Sequence, residues 1–266
     1  VIRGIGVYVD GNPHVRTDGH LTPGAPFGAA DVAVLERMWD EAKDGGPDSF
    51  VWLGLREAGV AETELAARVF GIGDLQIEDA MSLGQRPRIE IDGEQVFAVL
   101  KVLDYVESTS DVETGQIAVW VGPSFVLSAR IGHPGDLTAL RADLEDDPQM
   151  LALGPLAVLH GILDLVIDGY QEVVDELAND IEEVEERVFS DKHTDDAATI
   201  YLLKRENLEV RRAIDPLRSV AENLLHEQLP ALPEALLPYF RDLGDHLLRV
   251  QELSAQHDVL LATVLE

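Results

Sequence analysis

One carboxylate stands out by its surroundings. Asp164 lies inside the apolar run Met150–Ile167, where an ionised side chain is costly unless a partner or a water-filled interface receives it. The plainer readings are a place at the solvent edge of a helix face or an ion pair with an arginine. Glu78 and Asp79 are neighbouring acids at the end of a short helical pattern, where the macrodipole opposes them. Asp242 follows Arg241 where another helical pattern begins, and there a carboxylate simply complements the dipole. A hard cation such as magnesium keeps several of its waters and takes one or two carboxylates without a compact motif, so spacing alone does not select its ligands among these acids.

Histidine offers a softer metal chemistry. His246 and His257 share one helix face about three turns apart, roughly 16 Å along the axis, too far to hold one ion within a chain. His257 falls on an apolar seam, where a ring of histidines from several chains or a polar register-setting residue are the two readings. His160, inside the same apolar run as Asp164, reads as a hydrogen-bonded core histidine. Enzymatic chemistry finds little footing. The chain has no cysteine, hence no thiolate nucleophile, thiolate metal site or disulfide. It has no phosphate loop, no Gly-x-Ser-x-Gly and no His-Glu-x-x-His. Gly71-Ile72-Gly73 lacks the third glycine and the preceding strand of a dinucleotide fingerprint.

The elements that must position these residues follow from hydrophobic period. In 266 residues, one large or two small domains are expected. Up to about residue 146, β-rich runs alternate with turn signals and short helical patterns. Val7–Val9, Phe50–Leu55, Val96–Tyr105, Ile117–Val121 and Phe125–Ala129 read as strands. Asp92-Gly93 is a hairpin turn between Arg88–Ile91 and the strand that follows. Helices fit Ala30–Ala42, Thr63–Phe70 (closed by Gly71) and Leu75–Met81. After Asp146-Asp147-Pro148 the strand signals stop. Val166, Tyr170, Val173, Leu177, Ile181, Val184 and Val188 recur at steps of four and three, as in a long amphipathic helix with an acidic outer face. A second helical segment carries Lys204, Arg205, Arg211, Arg212 and Arg218, so an acidic helix folding back on a basic one is expected, with ion pairs choosing the register. From Leu243 through Leu247, Val250, Ser254, His257, Leu261 and Val264 a third seam runs to the end of the sequence, and a seam of this kind predicts packing against a copy of itself.

The fold class expected is therefore α/β: an N-terminal α/β/α layered domain (1–146), a long antiparallel helical hairpin (147–228) and the start of a stalk helix (229–266). Twenty basic against fifty acidic residues give a net charge of −30, which disfavours nucleic acid or an anionic membrane surface as partner. The run Met150–Ile167 is interrupted by Gly154, Pro155, His160, Gly161 and Asp164 and reads as a buried helix rather than a membrane span. The sequence begins at Val1 without a signal-peptide pattern, as expected of a piece cut from a longer protein.

Four ordered blocks carry a resemblance. Phe70-Gly71-Ile72, Ile77-Glu78-Asp79-Ala80 and Gln85-Arg86-Pro87-Arg88-Ile89-Glu90 form the first. Ile162–Tyr170 forms the second, Tyr201–Arg205 with Leu208–Arg212 and Pro216-Leu217-Arg218 the third, and Pro238–Asp242 with Asp245-His246 the fourth. Together they resemble the cytosolic part of CorA-type magnesium transporters from about residue 50 onward. The first 45 or so residues match nothing specific, and the family's two spanning helices and Gly-Met-Asn pore motif do not occur here.

The resemblance implies a regulatory metal site between neighbouring subunits of a homopentamer. Carried over block by block, it falls on Glu78, Asp79, Asp164 and Asp242. It further implies magnesium as the ion, with cobalt, nickel and zinc left open. The full-length protein would sit in the plasma membrane through C-terminal spans, with this part in the cytoplasm. The piece taken alone is expected to be monomeric, because the spans hold the ring together. Two other readings are kept: the cytosolic domain of a related zinc transporter, and a coiled-coil scaffold without transport. Phe240, Leu243, Leu247 and Val250 are the residues expected to pack the stalk.

Overall fold

A computed structural model describes residues 1–15, 23–82, 84–132, 137–188, 196–220, 229 and 232–265. Seven strands form one sheet: β1 Ile2–Val9, β2 Asn12–Val15, β3 Phe50–Arg56, β4 Arg88–Asp92, β5 Gln95–Val106, β6 Asp111–Gly122 and β7 Phe125–Ile131, in the order β2-β1-β3-β7-β6-β5-β4. Every neighbouring pair is antiparallel except β3 and β7, which run parallel from Val51↔Phe125 to Arg56↔Arg130. Gly93 takes φ +59 in the β4–β5 turn that Asp92-Gly93 predicts.

The period of two along each strand divides the core. Phe50, Trp52, Val96, Ala98, Ile117 and Val119 face one side. Val51, Leu53, Phe97, Val99, Ala118 and Trp120 face the other. The second face is covered by α1 Ala29–Asp44, α2 Val60–Val69 and α3 Asp74–Met81. The first is covered by α4 Leu137–Glu145, α5 Pro148–Leu151, α6 Pro155–Val188, α7 Ala197–Ile214 and α8 Leu237–Leu265. The layered α/β architecture is the expected one, and the sheet is its divider.

The long helices owe their place to their apolar stripes. Val166, Tyr170, Val173, Leu177, Ile181 and Val184 of α6 are all buried, while Val188 is exposed. The Tyr170 hydroxyl donates to the Lys101 carbonyl of β5, and Tyr105 of β5 donates to Asp180 farther along α6. Arg187 near the end of α6 holds Asp196 ahead of α7 at 3.1 Å, and Glu206 on α7 accepts from the Val112 amide of β6 at 2.8 Å. Val112 pairs with Tyr105 across β5 and β6, so α7 returns antiparallel along α6. Among the described residues the arginines of α7 do not pair as the charge pattern predicts: Arg205 pairs with Asp111 and Glu206, Arg211 with Asp215 and Asp258, and Arg212 with Glu209, none of these acids on α6. Apolar burial, the Arg187–Asp196 pair and the Glu206–Val112 bond hold the hairpin.

The α8 seam differs from expectation in a second way. Leu243, Leu247, Val250, Ser254, His257 and Leu261 are buried within the chain itself, in the core shared with α6 and α7. Asn207 donates to the Ser254 carbonyl at 3.0 Å and accepts from its hydroxyl at 3.1 Å, locking α7 to α8. The seam is therefore already occupied and gives no argument for self-association. Phe240, Leu243, Leu247 and Val250 pack as expected.

Among the described residues no helix is long and apolar enough to cross a membrane. The apolar run is broken at Gly154, with φ +86, where α5 gives way to α6. The Asp147 carboxylate caps α5 by accepting from the Met150 amide at 3.1 Å. Asp147→Ala is expected to lower stability by about 1 kcal/mol, and exposed Asp146→Ala to stay within about 0.5 kcal/mol of the parent, both read from urea midpoints.

Candidate metal centre

Asp164 lies half-buried on α6, one turn beyond His160 and one turn before Asp168. His160 is 8% exposed. Its ring is held edge-on by Tyr239 and Phe240, with centroids 5.4 and 5.6 Å away. Burial drives its pKa down, against the pull of Asp164 and Asp242, both close enough to be felt. The packing of Tyr239 and Phe240 on His160 thus brings the start of α8 to Asp164. His160 is a core residue as expected, and it is aromatic rings that define its surroundings.

Asp242 is exposed on the first turns of α8, with the His246 imidazole 3.7 Å from its carboxylate. Asp168 completes this end of the α6–α8 contact. Its carboxyl pKa is raised by partial burial and by Asp164, with His246 pulling the other way. Sequence reasoning misses Asp168, although its spacing of four from Asp164 places both on one helix face. This patch offers carboxylate oxygens in a partly hydrated setting, the donor type a hard cation prefers.

Glu78 and Asp79 lie elsewhere. Their helix α3 is anchored by Ile77 and Ala80, both buried against α2 and the sheet. The Gln116 amide of β6 donates to the Ala80 carbonyl, and Ser82 donates to the Glu78 carbonyl at 2.9 Å. These bonds satisfy carbonyls at the helix end, where neighbouring acids are otherwise unfavourable. The Glu78 side chain is exposed; that of Asp79 lies outside the described residues. Beyond α3, Gln85, Arg86 and Pro87 line a surface cleft of about 550 Å³ with Arg211 and Arg212 of α7.

The sheet separates the two acidic sets: α3 belongs to one core face, α6 and α8 to the other. Among the described residues no three metal-binding side chains converge. His246 sits beside Asp242, whereas His257 is buried deeper along α8, its pKa lowered by burial and opposed by Asp175. Its Nδ1 has no partner among the described residues.

Residues 47–262 match the family model described as CorA-like Mg2+ transporter protein. A curated relative, the cobalt/magnesium transport protein CorA of Thermotoga maritima, is 27% identical over 218 residues, covering 76% of this chain and 58% of that protein. The chain thus spans less than two thirds of that relative's length. Two solved structures share the fold. The full-length CmaX protein aligns with a TM-score of 0.75 at 16% identity, covering 99% of this chain and 75% of that one. The soluble domain of CorA from Methanocaldococcus jannaschii aligns with a TM-score of 0.71 at 15% identity, covering 98% and 95%.

Proposed function

The chain belongs to the CorA-like Mg2+ transporter family, and from that premise we propose that it is the cytoplasmic metal-sensing part of a divalent-cation transporter. In this reading Glu78 and Asp79 of one copy meet Asp164 and Asp242 of its neighbour, and a hydrated Mg2+ holds them together. The observation that carries it is the division of the acids by the sheet. Asp164 and Asp242 lie within electrostatic reach of His160 on one face, and exposed Glu78 belongs to the helix layer of the other. A second copy supplies what one chain cannot fold together. The chemistry of the set, oxygen donors without cysteine, suits magnesium, one of the two ions in the name of the Thermotoga relative.

Without a cation the arrangement repels itself. Two like charges about 5 Å apart at an effective dielectric near 20 cost about 3 kcal/mol, and the cost recurs at every interface of a ring. A divalent ion reverses the sign, so the loaded assembly is compact and closed and the empty one loosened. The ion shifts that balance only by its differential affinity for the two states. The pore lies in membrane spans outside this chain, the ring is a homopentamer, and transport rather than catalysis is the activity.

Magnesium titration of the purified chain tests the reading. Magnesium is expected to raise the thermal midpoint by several degrees and to shift sedimentation toward larger species, because it binds only the assembled form. Asp79→Ala and Asp164→Asn with Asp242→Asn should each abolish both changes. A midpoint and an assembly state indifferent to magnesium, or variants that respond like the parent, would refute the site. A stronger response to zinc than to magnesium would move the ion assignment to the zinc-transporter reading.

A further inference from the structure

The chain carries far more negative than positive charge, yet four of its arginines gather around one small cleft. Arg3 and Gly4 of β1, Arg56 of β3, Arg130 of β7 and Arg141 of α4 line a cavity of about 30 Å³. Among the described residues no carboxylate lines it. In a protein with a net charge of −30, such a grouping of arginines is not explained by solubility. An anion received among guanidinium groups accepts several charge-assisted bonds.

The cleft is built rather than incidental. Gly4 and Gly54 face each other across β1 and β3. A Cβ on Gly4 would stand 3.0 Å from the Arg141 guanidinium, and one on Gly54 3.6 Å from its Nη2. The paired glycines leave the notch in which that side chain lies flat on the sheet. Arg141 stacks 3.9 Å from the Trp52 ring centroid, donates to the Tyr8 hydroxyl at 3.1 Å and to the Trp52 carbonyl at 3.2 Å, while Tyr8 donates to Glu145 at 2.8 Å. Its guanidinium is thereby fixed before any ligand arrives, and little side-chain entropy is left to lose on binding.

Topology points to the same place. Arg56 and Arg130 are in register at the carboxyl ends of β3 and β7, the one parallel pair of the sheet. Crevices outside the carboxyl ends of parallel strands are where open α/β sheets bind ligands. Leu137 and Thr138 at the start of α4 form another wall. We propose that this cleft binds a tetrahedral oxyanion of the phosphate class, as the free ion or as the end of a monoester. A cavity of about 30 Å³ holds about two waters. It therefore suits one phosphoryl group and not the body of a nucleotide. Arginine forks match such oxygens in pairs.

The experiment titrates the chain with inorganic phosphate and, separately, glycerol 3-phosphate. EDTA is present so that no divalent cation bridges, and sodium chloride of equal ionic strength is the control. Phosphate is expected to raise the thermal midpoint by about 3 °C at ten times its dissociation constant, well beyond chloride. Arg3→Gln with Arg56→Gln should weaken binding at least tenfold, while Lys101→Gln, a basic position outside the cleft, should leave it unchanged. Should the double variant not fold, Arg3→Gln alone decides, since Arg3 is exposed. Equal shifts from phosphate and chloride, or binding retained when Arg3 and Arg56 are replaced, overturn the proposal. Binding of the free ion alone assigns inorganic phosphate; tighter binding of glycerol 3-phosphate assigns a monoester.

Discussion

Replacing Phe240 by alanine is expected to destabilise the chain by about 3–5 kcal/mol. The ring is fully buried among the residues shared by the sheet, α6 and α8. Beyond area, it makes an edge contact with His160, and Leu236 and Leu243 close around it from its own helix segment, both essentially inaccessible. Truncation leaves a cavity that the crossing helices cannot collapse without moving α8. Urea unfolding should show a lower midpoint at an unchanged slope. A second readout follows from position, because Asp242 lies two residues on. Phe240→Leu, which keeps most of the volume, should lose much less stability and retain the magnesium response, whereas Phe240→Ala should blunt that response even where it remains folded. A loss under about 1 kcal/mol for Phe240→Ala would show that the α6–α8 contact is not where the helical layer draws its stability.

Gly11→Ala should be nearly as damaging for a different reason. Gly11 turns the chain from β1 to β2 at φ +76, and a Cβ there would stand 1.9 Å from the Pro148 carbonyl oxygen and 2.9 Å from the Ala152 nitrogen. Those two atoms bond each other at 2.9 Å across α5, so neither yields without opening that turn. The left-handed conformation alone costs an alanine about 1–2 kcal/mol, and displacing α5 brings the expected loss to about 3 kcal/mol or more. Gly93→Ala isolates the conformational cost. Gly93 has φ +59, but a Cβ there would meet nothing within 4 Å, and the substitution should cost only about 1 kcal/mol. Equal losses at the two glycines would mean that α5 gives way freely.

Local pattern makes much of this fold legible. Phe50–Leu55, Val96–Tyr105 and Phe125–Ala129 lie within β3, β5 and β7, and the four-three repeat of α6 marks its buried stripe. What is not legible is long-range or polar. The first half of β6, Asp111–Gln116, falls outside the strand read at Ile117–Val121; cross-strand pairing with β5 and the Glu206 carboxylate on the Val112 amide make it a strand. The strands and helix of the first 45 residues carry weaker signals, Asn12–Val15 being only four residues long. The repeat along α8 identifies its buried face but not what covers it, since a heptad seam looks alike whether α6 and α7 or another copy fills it. For the site, Asp164 is marked by its apolar surroundings. Asp168 is hidden among many exposed acids, and the arginine cleft has no sequence signal because β1, β3, β7 and α4 contribute one cation each.

The parallel ladder between β3 and β7 also imposes an order in time. Strand β3 leaves the ribosome before β7, the partner for one of its edges, which follows about seventy residues later. Closing so long a loop is entropically slow, whereas β4, β5, β6 and β7 can zip up as successive hairpins. The late meander must then dock on a waiting edge made of Phe50-Val51-Trp52-Leu53, an apolar strand with its amides unpaired. During synthesis that edge is open to pairing with another polypeptide. Completion of β7 removes the hazard and, in the same event, brings Arg130 alongside Arg56.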